Sequence, residues 1–217
     1  MVFEIDNIEL YFKNKCILNG IYLKAEVGKT TAILGSNGCG KSCLLNIVFG
    51  NLKSKYKLVR IDNKPILKPL YKSGLVKFLS QYHFIPSGMR LQNIFKLYNL
   101  NWKLFTSEFE SFNKYRHERI GHLSGGERRI VETYIILKSD SKLVLLDEPF
   151  SHIAPIYVEY IKKLIFKEKK QKAIIITDHL YEHIIAAADR IYLLKNGTTK
   201  EIEALEELED YKYIRQI

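Results

Sequence analysis

The chain has 217 residues, 47% of them hydrophobic and 27% charged, with a formal net charge of +10. That length allows one compact unit with a sizeable core, and the composition is that of a globular protein, not a disordered or fibrous one. No apolar run approaches the ~18 residues of a membrane span.

Residues 1–6 carry Glu4 and Asp6 and lack a basic-then-apolar leader, so no secretion signal is expected. Cys16, Cys39 and Cys43 show no paired metal-type spacing, which points to reduced thiols in a cytosolic protein. The positive charge raises nucleic acid as a partner, but the lysines are scattered. Their densest run, between Lys162 and Lys172, falls on one helix and the turn after it. A solvated face or an anionic membrane surface accounts for that run equally well.

In chain order, residues 2–10 read as a strand, followed by Tyr11, Phe12 and a polar turn. Residues 16–18 and 21–27 continue a β-rich meander, and Gly28 turns it into a strand over 29–34. Gly35, Ser36, Asn37, Gly38, Cys39, Gly40, Lys41 and Ser42 then fit G-x-x-x-x-G-K-[ST]. A helix follows, with Leu44, Leu45, Ile47 and Val48 as its buried side and Gly50 as its stop. Strand, glycine loop, helix is the setting a phosphate-binding loop requires. Glycines let backbone N–H groups converge on phosphate oxygens, and the positive end of the helix dipole points at the same spot. Lys41 adds a full charge near the β/γ-phosphates, and the Ser42 hydroxyl can ligate Mg²⁺.

Residues 57–61 and 64–67 flank Asp62-Asn63 as a hairpin, with Pro65 and Pro69 suggesting a sheet edge. Residues 75–80 form a buried strand that delivers Gln81. From 82 to 124 the β-branched runs vanish, and Ile94, Leu97, Tyr98, Leu104, Phe105, Phe109 and Phe112 recur at helical intervals, the stripe of a small helical subdomain. Leu123-Ser124-Gly125-Gly126-Glu127 precedes a helix over 128–137. An apolar strand, 142–146, ends in Asp147-Glu148-Pro149. Two further helices, 156–169 and 181–188, alternate with strands 173–177 and 190–194. Asp178-His179 follows the first of those strands, and an Asn196-Gly197 turn and an acidic tail around Glu206, Glu207, Glu209 and Asp210 close the chain.

Strands alternating with helices predict an α/β fold with a mostly parallel sheet covered on both faces. Ligands in such sheets bind beyond the carboxyl ends of the strands. The phosphate loop, Gln81, Asp147-Glu148 and His179 all fall there. Two adjacent carboxylates beyond an apolar strand need a cation or a proton to justify them, and beside a phosphate loop Mg²⁺ is the expected cation.

Taken together, these residues resemble the nucleotide-binding subunits of ATP-binding-cassette transporters. Gly35–Ser42 look like Walker A, Gln81 the Q-loop, Leu123–Glu127 the signature motif, residues 143–148 Walker B with its catalytic Glu, and His179 the switch histidine. The similarity spans essentially the whole chain, with residues 124–132, 147–158 and 175–180 most like the lipopolysaccharide-export and branched-chain amino-acid ATPases. It implies a P-loop NTPase with a RecA-like sheet and an N-terminal antiparallel β subdomain. The division would be 1–81 and 138–217 for the catalytic core and 82–137 for the inserted helical subdomain carrying the signature.

It also implies ATP and Mg²⁺, with Phe12 stacking on adenine and residues 35–43, Cys43 included, around the phosphates. Ser42 and Gln81 would ligate the metal, with Asp147 acting through water. Glu148, His179 and Gln81 would serve catalysis. Residues 123–127 would cover ATP held by a second subunit in a head-to-tail homodimer. A separate transmembrane permease is the implied partner, direct nucleic-acid binding is not expected, and the location is the cytoplasmic face of the membrane. The runner-up is a soluble cassette ATPase of cluster assembly or cell division, and a third possibility is an ATP-binding regulatory module that does not hydrolyse.

Two departures stand out. Ala154 occupies the usual Asp position after Walker B, which leaves the coupling between the two sites open. Cys39 and Cys43 flank Lys41 near a helix N-terminus, where a thiol pKa can fall. Thiol alkylation that blocks turnover is therefore one expectation, and two small residues that happen to carry sulfur is the other.

Overall fold

A computed structural model describes residues 1–210. β1 (Val2–Phe12) and β2 (Lys15–Glu26) pair antiparallel, their apolar residues alternating inward. β2 is one strand where the sequence suggested two pieces. The extra residue between Leu18 and Ile21 is absorbed as a bulge, with Gly20 at φ +63. β4 (Tyr56–Ile61) lies on the other side of β1, and β5 (Lys64–Pro65) closes that sheet in the order β2-β1-β4-β5. Asp62 and Asn63 sit at φ 48 and 64, the left-handed pair that a two-residue hairpin needs. β5 is shorter than its predicted 64–67, and Pro65 lies on the edge, where a missing N–H breaks no ladder.

The second sheet has the order β10-β9-β3-β8-β7-β6. β3 (Thr30–Leu34), β6 (Val76–Leu79), β7 (Leu143–Asp147), β8 (Ala173–Thr177) and β9 (Arg190–Lys195) run parallel. β10 (Thr198–Ile202) folds back antiparallel on β9 through the Asn196-Gly197 turn. The central strands β3, β7 and β8 are buried throughout, as two-sided cover demands, and their period of two divides the core. Ile33, Leu143, Leu145 and Ile175 face α1 (Lys41–Phe49) and the antiparallel sheet. Ala32, Leu34, Val144, Leu146, Ile174 and Ile176 face the opposite layer, with α4 (Gly125–Lys138), α5 (Pro155–Glu168) and α6 (Tyr181–Ala187). Each such Ile or Leu contributes about 1.5–3 kcal/mol on burial, so both faces of the sheet are strongly anchored.

The 82–124 stretch folds into α2 (Leu91–Leu97), α3 (Trp102–Glu108) and short 3₁₀ turns. Phe105 packs with its ring 4.8 Å from Tyr134 of α4 and 5.0 Å from Phe95, so these aromatics are core. Leu97 and Leu104 share the stripe's spacing but are 65% and 62% exposed, a correction to the predicted buried face. A short α7 (Glu207–Asp210) takes up the acidic tail, and residues 211–217 lie outside the described residues. The carboxyl ends of β3, β6, β7 and β8 bring residues 35–42, 80–81, 148 and 178–179 along one edge of the sheet.

Candidate functional site

A cleft of about 700 Å³ opens at this edge, lined among others by Phe12, Asn37, Gly38, Gly40, Lys41, Ser42, Cys43, Gln81, Glu148 and His179. Its floor is the turn between β3 and α1. Gly38 and Gly40 hold φ 76 and 111, and Gly40 caps α1 with no side chain over the helix end. The first N–H groups of α1 are therefore left for an anion. The buried Lys41 reaches back over the loop and donates from Nζ to the carbonyls of Gly35 (2.6 Å) and Ser36 (3.1 Å). Ser36 is exposed at the rim, whereas Gly35 is buried and Cys39 packs against the core behind the loop.

The Ser42 side chain stands beside the Asp147 carboxylate at the end of β7 and favours its ionised form. Asp147 is 2% exposed, and its Oδ1 has no partner. Burial, with the neighbouring Glu148 adding to it, pushes its pKa up to about 6 against the pull of Ser42, Arg129 and Lys41. An orphaned buried carboxylate oxygen beside a serine hydroxyl fits a hard divalent cation. Among the described residues no group of three or more His, Cys, Asp or Glu stands ready for a metal. Such a cation would therefore rest on Asp147 and Ser42 together with the nucleotide.

Glu148 turns at φ 54 just past the strand, its N–H donating to Thr177 O at 2.7 Å. Its Oε2 accepts from Gln81 Nε2 at 3.2 Å and from Ser151 Oγ at 3.3 Å. Ser151 Oγ in turn lies 3.4 Å from His179 Nδ1. The buried Asp178 takes the N–H groups of Phe150 (2.8 Å) and Leu180 (3.1 Å), tying the loops after β7 and β8 together. Arg129 of α4, 4% exposed, donates to the carbonyls of Ser80, Asp147 and Glu148 and so clamps the ends of β6 and β7. Sequence reading missed Arg129, Ser151, Asp178 and the cleft-lining Ile17. Only Asp178, beside His179, carried a local signal.

Cys43 corrects one expectation. Burial, aided by the charge of Asp147, raises the Cys43 pKa instead of lowering it, so at neutral pH Cys43 is a thiol and a poor nucleophile.

Residues 123–127 do not line this cleft, but Gly125 lines a smaller cavity of about 140 Å³ that shares Gln81 and Glu148 with it. Ser124 caps α4 through a capping box: its Oγ accepts from Glu127 N at 3.2 Å and Glu127 Oε2 accepts from Ser124 N at 2.9 Å. Gly125 is exposed, and Leu123 is buried beneath it. A Cβ at Gly126 would run into the carbonyl of His152, so only glycine lets α4 start against that loop.

Residues 18–151 match the family model described as ABC transporter. The chain belongs to the ABC transporter family, as an ATP-binding domain. Relatives in this family include an energy-coupling factor transporter ATP-binding protein of Methanococcus maripaludis, 30% identical over 85% of this chain and 74% of its own length. A probable branched-chain amino acid transport ATP-binding protein of Methanocaldococcus jannaschii is 27% identical over 90% and 87%. The lipopolysaccharide export ATP-binding protein of Haemophilus influenzae is 26% identical over 90% and 88%. An ATP-binding cassette from an ABC transporter, solved free of nucleotide, superposes with a TM-score of 0.76 at 24% identity, covering 96% of this chain and 94% of that one. ABC domains hydrolyse ATP, and the named relatives are ATP-binding subunits of transporters. Among the described residues of this ABC domain, no helix is long and apolar enough to cross a membrane.

Proposed function

We propose that this chain is the ATP-hydrolysing subunit of a membrane transporter whose transmembrane part is a separate polypeptide, held at the cytoplasmic face by that partner. The observation that carries the reading is the convergence in one cleft of Lys41, Ser42, Gln81, Glu148 and His179, with the buried Asp147 and its orphaned oxygen next to Ser42. ATP lies with its adenine against the half-exposed Phe12 and its phosphates over residues 36–43, where the N–H groups of α1 and the Lys41 ammonium neutralise charge.

Ser42, Asp147 and Gln81 would hold Mg²⁺, which would supply charge neutralisation at the phosphates. Glu148 accepts the proton of the attacking water. His179, linked to Glu148 through Ser151, contacts the γ-phosphate side and keeps the carboxylate in place. Gln81, bonded to the same carboxylate, reports the state of the γ-phosphate to the permease side of the molecule. Catalysis is positioning and electrostatic stabilisation with little covalent work for the protein.

The signature residues do not line the phosphate cleft of their own chain, and the exposed Gly125 stands in the cavity beside Glu148, which supports their use on ATP held by a second copy in a head-to-tail dimer. A steady-state ATPase assay with Mg²⁺ tests the reading. Glu148→Gln should slow turnover by about 10²–10⁴, the range for loss of a general base, while ATP still binds. Near-wild-type turnover in that variant removes Glu148 from the role. Recovery of the chain from membranes together with a permease tests the transport assignment, and a chain recovered only in free form contradicts it.

A further inference from the structure

Glu132 lies on α4 with no exposed surface. A carboxylate withdrawn from water is tolerated only when donors surround it, and burial alone would be served by an apolar residue. Three of its donors come from one segment. Oε1 accepts the backbone N–H groups of Phe84 (3.2 Å) and Ile85 (3.3 Å), and Oε2 lies 2.8 Å from His83 Nδ1, a donor in that tautomer. From α4 itself, Arg128 Nε adds a contact to Oε1 at 3.4 Å, and Arg128 Nη2 donates to Ile85 O.

The gripped segment begins two residues after Gln81. On the other side of Gln81, Arg129 holds Ser80 O at 2.6 Å. Two side chains of a single helix thus fasten the backbone on both flanks of an exposed glutamine whose amide touches Glu148. That helix starts at the signature residues.

We propose that Glu132 is a positioning residue: by pinning residues 83–85 to α4 it sets the reach of Gln81 to the Glu148 carboxylate. Any shift of the signature helix then moves Gln81 with it, and the two halves of the nucleotide site read one mechanical coordinate. The inference rests on the catalytic reading of Glu148 and Gln81 given above.

A double-mutant cycle with hydrogen exchange on the full chain tests it. Glu132→Gln keeps the volume but replaces the charged acceptor of the two backbone N–H groups by a neutral one and turns an amide donor toward His83. In an otherwise wild-type chain it should lower kcat about tenfold, the equivalent of one hydrogen bond, with KM for ATP within about twofold. In a Gln81→Ala background the same change should cost less than about twofold, because its route of action is gone. Amides 84 and 85 should exchange at least about tenfold faster in Glu132→Gln. His83→Ala removes one donor from the half-exposed side and should move both readouts the same way by less, which keeps the test open if Glu132→Gln does not fold.

An undiminished loss in the Gln81→Ala background, or unchanged exchange at 84 and 85, overturns the proposal. A wild-type chain without ATPase activity counts against the proposed function instead, and the exchange measurement then still decides whether Glu132 holds the segment.

Discussion

Two helices present their N-termini where nucleotide chemistry is expected, and they are finished in opposite ways. α1 begins at Gly40 with no side-chain cap and no acidic residue in its first turn. α4 begins at Ser124 with a complete capping box and Glu127 in its first turn. The bare end leaves N–H groups that suit an anion, and on the proposed reading α1 holds the phosphates of ATP bound to its own chain. The capped end is self-sufficient, its dipole already answered by Glu127. α4 therefore needs no ligand in the isolated chain and can offer Gly125 and Gly126 to a phosphate arriving with a second subunit. On the proposed reading, one site binds and the other completes.

Breaking the capped end should have the largest effect. Gly126→Ala puts a methyl against the His152 carbonyl and displaces the start of α4. ATP binding at α1 should survive while turnover falls by about 10²–10³, the scale of a lost preorganised donor. Equilibrium nucleotide binding measured beside steady-state ATPase separates the two. Equal losses in both would remove the division of labour.

Next in size is the carboxylate behind α1. Folding raises the Asp147 pKa from 3.8 to about 6, so the folded chain binds the extra proton and stability falls as pH rises from about 4 to about 6. Above that window the ionised group costs roughly 3 kcal/mol in the nucleotide-free protein. Asp147→Asn should therefore unfold at higher denaturant than wild type at pH 7. The gap should close below about pH 4 and shrink when MgATP is added to wild type. A variant less stable at pH 7 would show that Asp147 is already satisfied without a cation.

The smallest effect belongs to the cap itself. Ser124→Ala should cost about 1 kcal/mol of stability, read as a shifted midpoint in denaturant, with ATP affinity at α1 unchanged. No shift would mean that the capping box contributes nothing and that α4's end is as open as α1's.

What the sequence made legible was local. The glycine loop, the apolar strand before Asp147-Glu148 and the Asn196-Gly197 turn each carry their reason within a few residues, and each lies where its pattern placed it. Arg129, Ser151 and Glu132 were invisible because their partners are remote: Arg129 reaches Ser80 across 49 residues, and Glu132 reaches His83 across another 49. A charged residue inside an amphipathic helix reads as a surface group until the fold shows it buried. Leu97 and Leu104 failed in the opposite sense, apolar at helical spacing yet facing out. Cys43 failed because a local rule, the helix N-terminus lowering a thiol pKa, lost to burial beside Asp147.

The most direct measurement is the solution mass of the Glu148→Gln chain with and without saturating MgATP, alongside the same chain carrying Gly126→Ala. The prediction is a MgATP-dependent dimer that chelation of Mg²⁺ dissolves and that Gly126→Ala abolishes without loss of ATP binding. A chain that binds MgATP yet stays monomeric, also when its permease is supplied, would contradict the division between the bare and the capped helix ends.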